Sequence, residues 1–431
     1  MTRTAPRKLR DDASAFWRVG LLSFGGPAGQ IAVMHRVFVE ERRWLDEGRF
    51  LHALNFCMVL PGPEAMQLTT YVGWLRHGWR GGVLAGLAFV LPGLAMMLAL
   101  SALVWTYGDV PAVEGLLFGV RAAVLAIVVD ALLKVSRRAL NGRVQLAVAF
   151  AAFVAIAFLA IPFPLIVPGA ALFGAARHML GRSAASAARR TGLQREANGA
   201  STLGTALVWL ALWIVPGALL FTIAGAEHVL SHMALFFSQA AIVTFGGAYA
   251  VLAYVAQAAV ETYGWLMPGE MLTGLGLAET TLGPLVLVLV FVGFMGGARG
   301  AGAETLAGGL AGGLVAAWFT FAPCFLWVFL GAPHMERLRH VEWLSHALSA
   351  VTAAVVGVIA NLALWFGLRV LFGEPGELRF GPLTVPLPEL ATFDHLAAFI
   401  ALAAGIALVR FGANVFAVLG VAALAGLLAG A

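Results

Sequence analysis

The chain has 431 residues, of which 61% are hydrophobic and only 11% charged, and its mean hydropathy is +0.90. Soluble domains carry roughly 25% charged residues, so a soluble fold is excluded and an all-α polytopic membrane protein is indicated. The net charge of +5 comes from arginines spread over short loops, which argues against a nucleic-acid partner and makes them markers of topology in a lipid bilayer. Cys57 and Cys324 both fall in apolar runs, so neither a disulfide framework nor a CxxC site is expected.

The first 12 residues are polar and basic, with Arg3, Arg7, Lys8 and Arg10, and no small-residue cleavage site of the signal-peptide kind follows. They read as a cytoplasmic start. Apolar segments then cover residues 16–38, 50–75, 83–107, 113–133, 144–161 and 163–176, each near the length that crosses about 30 Å of hydrocarbon. A linker rich in arginine (177, 182, 189, 190 and 195) leads to one extra span at 203–223. A second run of six follows at 233–256, 271–295, 306–330, 344–371, 395–409 and 411–428. The expectation is about 13 transmembrane segments.

Two of these segments are interrupted, by Ser23-Phe24-Gly25-Gly26-Pro27 and by Leu60-Pro61-Gly62-Pro63-Glu64. Proline removes a backbone donor and cannot continue a helix, and lipid cannot satisfy the groups a break exposes, so each must face protein or a water-filled cavity. Both recur. An offset of 221 carries Phe24-Gly25-Gly26 to Phe245-Gly246-Gly247, Glu40 to Glu261, Trp44-Leu45 to Trp265-Leu266 and Gly62-Pro63 to Gly283-Pro284. Beyond an insertion around residues 299–313 the offset becomes 231, and Pro92 meets Pro323 while Asp130 meets Asn361. Such register signals duplication, with a first repeat at 1–180, a basic linker plus extra helix at 181–232, and a second repeat at 233–431.

Six spans plus one make seven crossings before the second repeat, which would therefore enter from the opposite side. The loop charges agree: this topology puts 19 of the 27 Lys and Arg residues inside and seven outside, with Arg121 within a span. An inverted repeat whose broken helices meet near the midplane is the architecture of an alternating-access transporter.

A helix restarting after Pro63 offers free N–H groups and a positive dipole end, which suits an anion. Gln67, Thr69, Thr70, Thr280 and Thr281 supply neutral donors nearby, and Gly246, Gly247, Gly283 and Pro284 repeat the backbone arrangement. Arg121, costly within a span, offers a donor fork for a tetrahedral oxyanion, or else pairs structurally with Glu114 or Asp130. Glu64 and Glu279, with Asp130, are either proton-coupling groups or protonated residues hydrogen-bonded inside the bundle. His228 and His232 lack the third ligand or HExxH glutamate of a metal site, and solvated histidines are the simpler reading. No cofactor is expected, and no Walker A lysine or hydrolase triad is present. The Gly82-x-x-x-Gly86 and Gly308-x-x-x-Gly312 faces could pack within one chain or build a homodimer.

Phe24-Gly25-Gly26-Pro27, the run Phe38-Val39-Glu40-Glu41-Arg42-Arg43-Trp44-Leu45, Leu60-Pro61-Gly62-Pro63-Glu64-Ala65-Met66-Gln67 and Phe89-Val90-Leu91-Pro92-Gly93 resemble the chromate ion transporter family in its long two-domain form. The resemblance implies a bacterial inner-membrane exporter of chromate, with sulfate as structural analogue, that confers chromate resistance. The second half departs from the motifs: Ala248 replaces the first proline, and Leu282-Gly283-Pro284-Leu285 lacks the other proline and the glutamate. The site is therefore expected to be asymmetric, with Gly25, Gly26, Pro27, Pro61, Gly62 and Pro63 contributing most.

Overall fold

The computed structural model describes residues 9–24, 26–180, 199–245, 248–300, 305–334, 342–373, 376–381 and 383–430. Among them are sixteen α-helices and one two-stranded antiparallel sheet. Six helices are long and apolar enough to cross a membrane, as expected for a multi-pass membrane protein.

The first two apolar segments do not form continuous helices. The first divides into α1 (Leu9–Leu22) and α2 (Gly26–His35), the latter running into a π-helical turn, Arg36–Glu41. The second divides into α3 (Glu47–Cys57) and the opening limb of α4 (Glu64–Tyr107). Prolines 61 and 63 end one helix and start the next, because Pro63 has the extended backbone of an N-cap and cannot donate within a helix. α4 itself bends back at His77 and Gly78, whose dihedrals are non-helical. Residues 64–76 and 79–107 are antiparallel limbs, packed so closely that a Cβ at Gly73 would meet the Gly81 carbonyl.

Each divided segment is a hairpin whose open ends meet. Arg18 of α1 binds Glu41 at 2.6 Å, Phe16 packs on Phe38 and Trp44, and Arg76 stacks over Trp44 at 4.3 Å. Asp12, buried at the start of α1, accepts from Arg76 at 2.6 Å and pairs with His77 at 2.9 Å. Burial alone would push the Asp12 carboxyl upward, but hydrogen bonds and charge from Arg76 and His77 outweigh it and hold the carboxyl below its ordinary value.

α5 (Pro111–Ala139), α6 (Arg143–Ala157) and α7 (Phe163–Leu180) complete the first half, and α8 (Gly199–Ile223) follows. The second half repeats the pattern. α9 (Val229–Val243) and α10 (Ala248–Gln257) form one hairpin, ending in a π-turn at Ala258–Thr262; α11 (Glu270–Thr280) and α12 (Val288–Gly300) form the next. Their open ends meet too: Tyr263 stacks on Trp265 at 4.3 Å, Arg299 binds Glu270 at 2.7 Å and the Trp265 carbonyl at 2.8 Å, and Gly300 packs on Val229. α13 (Leu306–Gly331), α14 (Glu342–Leu371), α15 (His395–Phe411) and α16 (Val415–Gly430) close the chain, with the hairpin β1 (Gly376–Phe380) and β2 (Leu383–Leu387) between α14 and α15. Thr384 N–H donates to the Phe158 carbonyl and pins that hairpin to the end of α6.

The long limb of α4 joins the two clusters, since it starts at His77 and ends with Trp105 beneath Arg299; its 29 residues span roughly 43 Å. The core lies between the clusters. Residues 65–73 of α4 and 288–298 of α12 are buried on every face, the mark of helices enclosed by other helices. Both GxxxG faces are used here: Gly82 and Gly86 pack against Phe329 and Phe325, and Gly308 and Gly312 against Gly297 and Gly293.

Candidate substrate site

The closed ends of the four hairpins meet pairwise. Gly62 N–H donates to the Thr244 carbonyl at 2.8 Å, and Gly283 N–H donates to the Ser23 carbonyl at 3.0 Å. The 221-residue offset carries one bond onto the other. It also relates Ser23 Oγ donating to Val19 O at 2.6 Å to Thr244 Oγ1 donating to Ala240 O at 2.5 Å. Both glycines have left-handed backbone, φ 118° and 81°, which a side chain would strain. Each also has little room: a Cβ at Gly62 would lie 2.7 Å from Cys324 Sγ and 2.9 Å from Gln67 Nε2, and one at Gly283 would lie 3.3 Å from the Phe89 carbonyl. Cys324 and Gly93, related by the 231 offset, are the floor under the opposite repeat's break, for Gly93 abuts the Leu282 carbonyl.

Gln67 is fully buried, donates from Nε2 to the Pro61 carbonyl at 2.6 Å, and has no partner for Oε1 among the described residues. Thr320 Oγ1, one turn before Cys324, is likewise buried without a partner among the described residues. The threonines expected as donors spend their protons locally. Thr69 donates to Ala65 O, Thr280 to Leu277 O and Thr281 to Ala278 O, and Thr70 faces Met66 Sδ. In this conformation they offer an anion lone pairs rather than protons.

Pro63 N-caps α4 with Glu64 directly behind it, and Pro284 leads into a short 3-10 turn, Leu285–Leu287. Glu64 is half-buried and forms no ion pair among the described residues. Glu279 is buried at the end of α11, where Tyr249 OH donates to its Oε1 at 2.6 Å. A Cβ at Gly26, the first residue of α2, would lie 4.0 Å from its other oxygen. Pro27 follows within α2. Gly25, Gly246 and Gly247 lie outside the described residues.

Asp130 acts electrostatically on Glu279 and Tyr249 at this meeting point, whereas Arg121 stands apart from it. Asp130 is buried but bound to Lys134, one turn on, at 2.6 Å. Arg121 lies beside Gly269, at the start of α11, whereas the break lies beyond its end, roughly 16 Å away along the helix. It pairs with neither Glu114 nor Asp130; its Nε donates to the Leu117 carbonyl at 3.3 Å.

Several contributors escaped the sequence reading. Gln30, buried on α2, donates to the Gly283 carbonyl at 2.7 Å, and Tyr249 holds Glu279. The repeat offsets carried enough signal to pair Ser23 with Thr244 and Gly93 with Cys324. Gln30 had none, for its counterpart is Val251.

Two helix starts and the Gly62 and Gly283 amides thus meet at the crossing of the four breaks, with the Glu64 and Glu279 carboxyls beside them, and helix starts of this kind suit an anion. Comparison with known proteins gives the class: relatives similar over most of the chain are named as transport proteins, and this chain is a membrane-embedded, multi-pass transporter rather than an enzyme. A family model described as Chromate transporter matches residues 12–175 and 231–427. The chain belongs to the chromate transporter family, as its motifs suggested. It is 30% identical over 388 residues to a probable chromate transport protein of Synechococcus elongatus, covering 85% of this chain and 86% of that one. It is 34% identical over 348 residues to a chromate transport protein of Pseudomonas aeruginosa, covering 80% and 77%. A chromate transport protein of Cupriavidus metallidurans is 28% identical over 381 residues, covering 87% of each. No solved structure matches the chain significantly.

Proposed function

We propose that this protein exports chromate across the bacterial cytoplasmic membrane by alternating access, with residues 1–180 and 233–431 as inverted repeats joined by the unit 181–232. The observation that carries this is the pair of equivalent hydrogen bonds, Gly62 to Thr244 and Gly283 to Ser23, by which each repeat closes on the breaks of the other. Rocking one repeat against the other exchanges these bonds for contacts to the anion. Gln67, whose buried Oε1 has no partner among the described residues while its Nε2 donates to the Pro61 carbonyl, is the side chain that turns toward it in this reading.

The four divided segments are re-entrant hairpins in this reading, and the crossings are the long limb of α4, α5 to α8, and α13 to α16. Hairpins do not change the parity, so the second repeat still enters from the opposite face. They do return Arg36, Arg42, Arg43 and Arg49 to the side of the amino terminus. Outside Arg121, only Arg299, Arg369 and Arg379 are then left facing away from the cytoplasm, a stronger positive-inside bias than thirteen spans would give. The carboxyl terminus is periplasmic in the same reading.

Export of a dianion is favoured by an inside-negative potential by about 4.6 kcal/mol per 100 mV. Everted vesicles are therefore expected to accumulate labelled chromate when energised, to lose it when an ionophore collapses the potential, and to be inhibited by sulfate. Inserted protein that accumulates no chromate above control vesicles would overturn the assignment. Glu279 is the proton-coupling candidate, because its carboxylate faces Gly26 where the anion would arrive. Glu279→Gln should preserve potential-driven uptake while removing any component driven by a pH gradient at zero potential, measured with valinomycin and nigericin in turn.

A further inference from the structure

A cavity of about 580 Å³ opens near the start of α11, away from the crossing of the breaks, and is lined by Phe118 and Arg121 of α5, Gly269, Arg369 of α14, and Thr392 and Asp394 ahead of α15. Its polar groups are unequally committed. Asp394 caps α15 through the Ala397 N–H at 2.8 Å. Arg369 is bound to Glu261 at 3.4 Å and stacked on Trp365 at 3.8 Å. Thr392 bridges the Gly373 N–H and the Glu389 carbonyl. Arg121 alone of the two arginines has no carboxylate within ion-pair distance among the described residues, although Glu114 and Glu270 act on it electrostatically from further off.

A guanidinium within a membrane helix normally faces a partner or a water-filled cavity, and here it faces the cavity. The wall opposite is equally specific. Gly269 has φ 93° and stands where a Cβ would lie 3.5 Å from Arg121 Nη1, so the absence of a side chain keeps the donor fork uncovered.

We propose that this cavity is a second anion site, a vestibule in which Arg121 holds a tetrahedral oxyanion at the mouth of the α11–α12 hairpin. The inference rests on the transport reading only for the identity of the anion. Because Arg121 stands apart from the breaks, it concentrates the ion at one face, while Lys134, which acts electrostatically on Glu279, is itself paired with Asp130. Transport then avoids a trap, since an anion bound both by dipoles and by a full cation would be slow to leave.

The test reads the site without transport. Thr392→Cys places a thiol on the cavity wall, and the native cysteines, Cys57 and Cys324, are buried. In the purified full chain, rates of modification by an anionic and a cationic methanethiosulfonate reagent are compared, with and without sodium sulfate. We expect the anionic reagent to be favoured and sulfate to slow it. Adding Arg121→Gln should lower the anionic-to-cationic rate ratio roughly tenfold, as loss of one nearby charge implies, and Arg121→Lys should largely restore it. An unchanged ratio, or a ratio that falls with no protection by sulfate, overturns the site. Neither outcome bears on whether chromate crosses the membrane, which the vesicle assay decides separately.

Discussion

Gly62→Val is expected to abolish chromate transport while leaving the protein in the membrane. The residue sits at φ 118°, where a β-branched side chain carries strain on the order of 1–3 kcal/mol. Its Cβ would also press on Cys324 and Gln67, and overpacking of this kind costs about as much again. The combined effect falls on the N–H that closes the first repeat on Thr244. Gly283→Val, its counterpart, meets φ 81° and the Phe89 carbonyl and should be equally inactive. Chromate resistance in a sensitive host, normalised to membrane protein by immunoblot, measures both. Wild-type resistance in either variant would show that the backbone need not approach so closely there.

The largest effect on stability is expected at the other end of the first hairpins. Arg76→Met leaves Asp12 buried with only His77 as partner, and stranding one member of a buried ion pair costs roughly 3–5 kcal/mol. The double variant Asp12→Leu, Arg76→Met removes both charges and should regain most of that loss, a coupling that a double-mutant cycle isolates. The pH dependence has a definite sign. Because Asp12 is held below its ordinary value, its contribution is fully present above the unfolded carboxylate value of about 3.9 and is lost as pH falls through the lower folded value. In the wild type this contribution should therefore be constant from about pH 8 to 5 and be lost only in stronger acid, while the gap to Arg76→Met begins to narrow earlier, because burial raises the Asp12 carboxyl once Arg76 is gone. Thermal unfolding of detergent-purified protein that shows no gap at neutral pH would remove the cluster from the stabilising contacts.

The breaks were legible because proline and glycine write them directly into the chain, and the offsets of 221 and 231 matched them in pairs. What the sequence could not convey was the path. A stretch such as residues 50–75 has the same hydropathy whether it crosses a bilayer or turns back inside it, and only contacts such as Arg76 over Trp44 tell the two apart. Arg121 was misplaced for a related reason. It is the eleventh residue of a 29-residue helix, so it lies roughly 15 Å from one end and beside Gly269 rather than level with the breaks. The threonines around them looked like donors because side-chain type is visible in a sequence, whereas the carbonyl one turn back that claims the proton is not.

α8 is the least enclosed of the six long apolar helices, with only 11% of its apolar window buried, and its contacts go to the second half. Trp209 stacks on Phe325, Trp213 donates to Ser238, and Leu212 accepts from Trp318. A helix so loosely held contributes little to the packing at the crossing of the breaks. In the inverted-repeat reading proposed above, its value is in parity: one more pass brings the second half in from the opposite face of the bilayer.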